Sequence, residues 1–198
     1  MGRSTFEAKM QLTNNVEIEG LEQLLSPQPD NSRMVFLHGE VSEHVIANVI
    51  AQMLHLANAS IAPIHLIVSS YGGSIDEMFS LYDTIRFLPC PVHTVGLGKI
   101  MSAAVLLLAS GVKGKRLIGA SSRVMMHAMR GGVYGNVFEI ENESKEAQRL
   151  QKLMVEQIIK ETKMTFSQVE NIMNSKLDYF ITPQEAVVFG LVDKVIGR

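Results

Sequence analysis

Gly96-Leu-Gly-Lys-Ile-Met-Ser102-Ala-Ala-Val-Leu-Leu-Leu-Ala-Ser-Gly111 is the stretch on which the reading of this chain turns. An apolar run, Val92–Leu97, enters it and predicts a buried strand. Gly96 and Gly98 interrupt that run, and Ala103–Ala109 opens a second one with the character of a buried helix. Ser102 therefore stands at a strand–loop–helix junction. Backbone N–H groups at a helix N-terminus lack partners, and the helix dipole is positive there. Two readings follow. Serine is a good N-cap, and the same place suits a nucleophile whose substrate becomes an oxyanion. Taken by itself, the stretch favours the cap.

Working outward, strand and helix signals alternate. Met34–Leu37 reads as a short strand and His38-Gly39-Glu40 as a turn. Residues 41–57 carry Val45, Val49, Met53 and Leu56 at helical spacing. Ile64–Val68 is a second strand, Ser69–Ser74 a glycine turn, and Ile75–Leu88 a helix stopped by Pro89 and Pro91. Arg116–Ile118 and Arg123–Met126 predict two short strands. A long helical pattern covers about residues 136–162, with Ile140, Ala147, Leu150, Met154 and Ile158 on one stripe. It exceeds the usual length for a small domain, which predicts projection from the body towards another subunit. Phe166–Met173 follows with Thr165 as cap, then a helix opened by Thr182-Pro183 and a last strand, Leu191–Ile196. The alternation predicts an α/β fold. Residues 1–32 are mixed and polar and predict an arm with a short helix near Glu19–Leu25. Residues 33–198 form the predicted domain.

The 198 residues suffice for one domain with a real core, and 46% hydrophobic with 19% charged residues excludes a disordered chain. The longest apolar run cannot span a bilayer. A net charge of −2 gives no basic surplus for nucleic acid. The start, Met1-Gly-Arg-Ser-Thr-Phe, has no apolar secretory core, so no signal peptide is expected. Cys90 is the only cysteine. It allows no internal disulfide or multi-cysteine metal site, and a reducing cytoplasm is the expected compartment.

A serine nucleophile needs a base, and the base needs an orienting partner. His44 and His55 fall on a helix, and His38, His65 and His93 in or beside strands, where a structural role is the ordinary one. His127 ends the run Val124–Met126 and precedes Gly131-Gly132. Strand ends beside such turns are where α/β sheets place functional side chains, and imidazole can accept a proton at neutral pH. Asp178, flanked by apolar neighbours, is the candidate orienter, with Asp193 and Asp83 as weaker rivals. The amides of Gly73 and Ala103 are candidates for an oxyanion hole. Lys99, three residues before Ser102, keeps a serine–lysine dyad open. No Gly-x-x-x-x-Gly-Lys-Ser/Thr occurs, so no ATP hydrolysis is expected of this chain. No His-Glu-x-x-His or carboxylate–histidine cluster indicates a metal, and no cofactor is expected.

Several stretches in one order resemble the proteolytic subunit of the Clp protease family. They are Arg33-Met-Val-Phe-Leu-His-Gly-Glu-Val, Ser70-Tyr-Gly-Gly-Ser-Ile, Tyr82-Asp-Thr-Ile-Arg-Phe, Ala109-Ser-Gly-Val-Lys-Gly-Lys-Arg, Ser122-Arg-Val-Met-Met-His and Glu185-Ala-Val-Val-Phe-Gly-Leu-Val-Asp-Lys-Val. The resemblance puts Ser102 on the family's nucleophile, His127 on its base and Asp178 on its third member. Gly73 and Ala103 fall on the oxyanion-hole positions. It implies a crotonase-like spiral of βαβ units with the long helix as a protruding handle. It also implies a homo-oligomer of stacked heptameric rings enclosing a chamber, polypeptide substrates, and an ATP-driven (AAA+) unfoldase as partner.

The chain departs from the family pattern in places. Ile100-Met101-Ser102-Ala103-Ala104 stands where Ala-Ala-Ser-Met-Gly is common, Tyr71 replaces a proline, and Ala128-Met129 replaces Gln-Pro. The bulk before Ser102 is expected to alter the substrate cleft. Three other readings stay open at this point: a protease dedicated to one partner such as a viral capsid or scaffold protein, an inactive ring subunit, and a crotonase acting on acyl-thioesters.

Overall fold

The computed structural model describes residues 31–197. The chain divides into a unit of residues 1–33 and a unit of residues 34–198. A single 3-10 turn, Asn31–Arg33, is what is described of the first. The arm and the helix expected near Glu19–Leu25 otherwise lie outside the described residues.

The second unit opens with three consecutive βαβ steps. Strand β1 (Met34–Val41) leads to helix α1 (Glu43–Ala59), β2 (Ile64–Gly73), α2 (Ile75–Phe87), β3 (Val92–Met101), α3 (Ala103–Ala109) and β4 (Arg116–Gly119). These strands lie side by side and parallel in the order β1-β2-β3-β4, followed by β7 (Lys194–Ile196). The α/β class is what the alternation in the sequence predicts, and the sheet proves largely parallel. Alternation along the strands buries one face, with Val35, Leu37, Ile64, Leu66, Val68 and Val92 inside. The other face carries Phe36, His65, Ile67, His93, Val95 and Leu97, exposed or half-exposed. Parallel sheets usually have both faces covered; among the described residues the helices cover one.

Amphipathic spacing explains the helices. In α1, Ile46, Val49 and Met53 face the core, and in α2, Met78, Leu81, Tyr82 and Ile85 do so. All seven residues of α3 are buried, so it is the central helix. The long helix α4 (Val137–Glu161) starts with a capping box formed by Asn136 and Glu139. Its buried residues, Met154, Val155, Ile158 and Glu161, all lie in its last turns. Residues 137–146 are exposed throughout, including Val137 and Phe138. Helix α5 (Phe166–Asn174) is capped by Thr165, as the sequence suggests, in a capping box completed by Gln168. Helix α6 (Pro183–Val188) has one at Thr182 and Glu185.

Strand ends differ from the sequence reading, and glycine is the reason. His38-Gly39-Glu40 is a bulge within β1, not a turn, with Gly39 at φ 96°. Ser69–Gly73 continues β2. Strand β3 also runs on past Leu97, through Gly98 at φ 73°, to Met101. That extension forks the sheet. The first half of β3, Thr94–Gly96, pairs with β4, whereas Lys99–Met101 pairs with β5 (Arg123–Met126). At the fork Ser122 Oγ accepts from Gly98 N–H at 3.0 Å and donates to Gly96 O at 3.3 Å, replacing ladder bonds lost there. A strand the sequence did not predict, β6 (Tyr179–Ile181), pairs antiparallel with β5. The last strand is confined to Lys194–Ile196.

A buried polar cluster ties the far end of the sheet to α4. Arg116 makes two bonds to the Asp193 carboxylate, at 2.7 and 3.0 Å, and donates to Glu161 O at 2.8 Å. Burial pushes the Asp193 carboxyl up, but the bonds from Arg116 and from Gly114 N–H outweigh it and hold its pKa below the usual range. Nearby, the Tyr82 hydroxyl donates to buried Glu161 at 2.7 Å. Desolvation and that carboxylate raise the Tyr82 pKa far above its ordinary value.

Candidate active site

The fork brings the C-terminal ends of β2, β3 and β5 together, and the candidate residues stand there. Ser102 joins β3 to α3 with φ 55° and ψ −124°. Few non-glycine residues adopt a positive φ, and strain of this kind clusters at functional sites. A sharp strand-to-helix turn also lifts a nucleophile clear of the sheet in unrelated hydrolases. The turn is held by two bonds. Ser102 N–H donates to Met125 O at 2.8 Å, and Val105 N–H donates to Ser102 O at 3.0 Å. The Ser102 side chain caps nothing, so the N-cap reading fails and the hydroxyl is left to the cleft.

Close approach makes this turn possible. A Cβ on Gly72 would lie 2.7 Å from Met101 O, 2.7 Å from Ser102 Cβ and 3.1 Å from Ala103 N. The end of β2 thus rests directly on the serine turn, which the sequence reading, occupied with Gly73, missed. Gly72 N–H is held by Ser70 Oγ at 3.0 Å. Ser74 N–H donates to Val41 O at 2.8 Å, an alternation that turns the intervening Gly73 N–H away from β1. Ala103 is the first residue of α3, so its N–H is one of the helix's orphan donors.

A cleft of about 510 Å³ is lined by Ser102, Ala103, Gly73 and His127, together with Tyr71, Ser74, Ile75, Asp76, Met78, Met129, Arg130 and Met154. Four of the five expected site residues therefore share one cavity. His127 follows the last residue of β5. Its Nδ1 lies 2.5 Å from Ala128 O. A carbonyl only accepts, so this contact suits the tautomer with its hydrogen on Nδ1, in which Nε2 is the nitrogen open to act as a base. Met129 N–H donates to Gln151 Oε1 at 3.1 Å, which pins the following loop to α4.

Asp178 does not line the cleft. In the β5–β6 ladder Met126 pairs with Tyr179, so one further step sets Asp178 opposite His127. Its carboxylate nevertheless pairs with the Arg130 guanidinium. Among the described residues no hydrogen bond joins His127 to Ser102 or to Asp178. The rivals fall elsewhere: Asp193 is taken by Arg116, Asp83 is exposed on α2, and the Lys99 ammonium sits 4.9 Å over the Tyr71 ring. Ile100 and Met101 are buried and pair with Val124 and Met125 in the sheet. Neither lines the cleft, contrary to the expectation that their bulk would reshape it.

Among the described residues there is no group of three or more histidine, cysteine or acidic side chains placed to hold a metal ion. No helix among them is long and apolar enough to cross a membrane. The arrangement is a serine on a strained turn, helix amides beside it and a histidine with an available nitrogen in one cleft. In comparison with known families, the Clp protease family matches residues 23–198, nearly the whole chain. By that match the chain belongs to the Clp protease family.

Proposed function

We propose that the chain is a serine endopeptidase in which Ser102, His127 and Asp178 form the catalytic triad. The observation that carries this is the Ser102 turn: a strained serine whose hydroxyl caps nothing, beside the first N–H of a buried helix and in one cleft with His127. His127 Nε2 takes the Ser102 proton as Oγ attacks a peptide carbonyl. The Gly73 and Ala103 amides bind the oxyanion. His127 then protonates the leaving amine, and water resolves the acyl-enzyme. Asp178 orients and stabilises the imidazolium once its carboxylate turns from Arg130 to its cross-strand neighbour. Inactivity as a ring subunit and thioester chemistry both leave the strained serine and its histidine without a purpose.

Assembly belongs to the same reading. The exposed apolar residues of α4 and the sheet face that the described helices leave open are surfaces that copies of the chain would bury, and members of this family typically form oligomeric rings. In a crotonase-like spiral with α4 as handle, two stacked heptameric rings would enclose the clefts and admit extended chains supplied by an AAA+ unfoldase in the cytoplasm. The direct test is labelling by a fluorophosphonate probe and cleavage of a fluorogenic peptide. Ser102→Ala should abolish both while the protein stays folded. Undiminished labelling of that variant would sink the assignment.

A further inference from the structure

The triad's third member is engaged elsewhere, and its partner lies in the substrate cleft. Asp178 stands one register step beyond the β5–β6 ladder, opposite His127, yet one of its oxygens accepts from Arg130 Nη2. His127 Nδ1 meanwhile rests on Ala128 O. Arg130 also lines the cleft that holds Ser102, with 63% of its side chain exposed. Its bond to Asp178 uses one nitrogen and one oxygen, whereas a guanidinium can grip a carboxylate with two parallel bonds. An ion pair this exposed is screened and weakly held. A second carboxylate entering the cleft can therefore displace it. Asp76 also lines the cleft, but it stands in the first turn of α2, where the helix dipole favours its charge.

We propose that Arg130 is the specificity-determining residue of the cleft, selecting an acidic side chain of the substrate, and that this contact releases Asp178 to His127. The inference rests on the triad reading above. Arg130 acts on catalysis through Asp178 and is in that respect a positioning residue. The resting site holds Asp178 away from its base. A substrate carboxylate takes the guanidinium, a turn of the Asp178 side chain then brings it to the imidazole across the strand pair, and His127 Nδ1–H exchanges Ala128 O for that carboxylate. Peptides with glutamate near the scissile bond are thus both bound and permitted to react.

The test uses the full chain in its native assembly, with fluorogenic peptides that differ only in carrying Glu, Gln or Lys at each position flanking the scissile bond. Wild-type protein should prefer the Glu peptide over the Gln peptide by about tenfold in kcat/KM, with Lys poorest. In Arg130→Gln the Glu preference should vanish. The rate of fluorophosphonate labelling at Ser102, which involves no acidic side chain, should rise because Asp178 is no longer held. Arg130→Lys should restore part of the preference. A Glu preference that survives in Arg130→Gln, or a labelling rate that fails to rise, overturns the inference. Absence of label at Ser102 in the wild type would defeat the peptidase reading itself, which separates that failure from one confined to Arg130.

Discussion

Gly72→Ala is the sharpest probe of how the serine turn is built. The residue has φ 94°, so an alanine there meets the ordinary cost of the left-handed region, roughly 1–2 kcal/mol. A second cost is particular to the site. The new Cβ would stand 2.7 Å from Met101 O and from Ser102 Cβ, and 3.1 Å from Ala103 N. The first and last of these are backbone atoms of β3 and α3, and the turn between them is fixed by the 2.8 Å bond from Ser102 N–H to Met125 O. They cannot swing aside like the end of a flexible side chain. Overpacking of this kind costs about 1–3 kcal/mol. Gly39 supplies the control, because its φ is 96° and a Cβ there meets nothing within 4 Å. Gly39→Ala should show the conformational term alone. Gly72→Ala should unfold at a temperature lower still by roughly 2–12 °C, and below that temperature it should lose most of its fluorophosphonate labelling as the turn shifts. Thermal melts and labelling on both variants decide the matter. Equal melting temperatures with labelling intact in Gly72→Ala would refute the claim that β2 seats the serine.

Two further outcomes follow from the polar contacts. Asp193 has its carboxyl pKa held below the ordinary value in the folded state, so its stabilising contribution is present above the unfolded pKa near 4 and is lost as pH falls through the folded value. Asp193→Asn leaves buried Arg116 without its ionic partner and should cost about 3 kcal/mol at pH 7. The gap from wild type should close on acidification in denaturant titrations, and a gap constant down to pH 2 would contradict the linkage. Ser122→Ala strips Gly98 N–H and Gly96 O of their partner at the fork and should lower stability by about 1–3 kcal/mol. A loss under about 0.5 kcal/mol would mean that the fork closes without that hydroxyl.

The parts legible in the sequence were those with periodicity or a local chemical signature. Helices α1, α2 and α4 announced themselves by spacing, α5 by its cap and α6 by the proline at its first turn. Ser102 and His127 stood out because each sits where a run of one kind ends. What escaped depended on pairing between distant segments. Tyr179-Phe180-Ile181 is too short to show a period, and two of its three side chains are exposed; only β5 makes it a strand. Without β6 nothing places Asp178 across from His127. Glycines 39, 72 and 98 read as breaks, because glycine in a strand usually marks a turn or a bulge. Here each lies within a continuing strand, and only Gly72 is there to let another backbone close in. Arg130, between Met129 and Gly131, has no local mark at all, and its interest comes entirely from where Asp178 lies.

The fork in β3 also explains where divergence from the family can take effect. Ile100 and Met101 are the conspicuous departures next to Ser102, but β3 has already left β4 for β5 when it reaches them. Both are buried in that pairing, Ile100 fully so. Their bulk is absorbed by the sheet, and its consequence is for stability. Beyond the end of β5 no ladder constrains the chain on that side. Ala128, Met129 and Arg130 are half-buried or exposed, and Met129 and Arg130 line the cleft. Substitutions in this segment alter what a substrate touches without disturbing the strands that seat the serine. What a substrate meets is therefore set partly by the segment after the histidine, whereas the approach to Ser102 is bound by core packing.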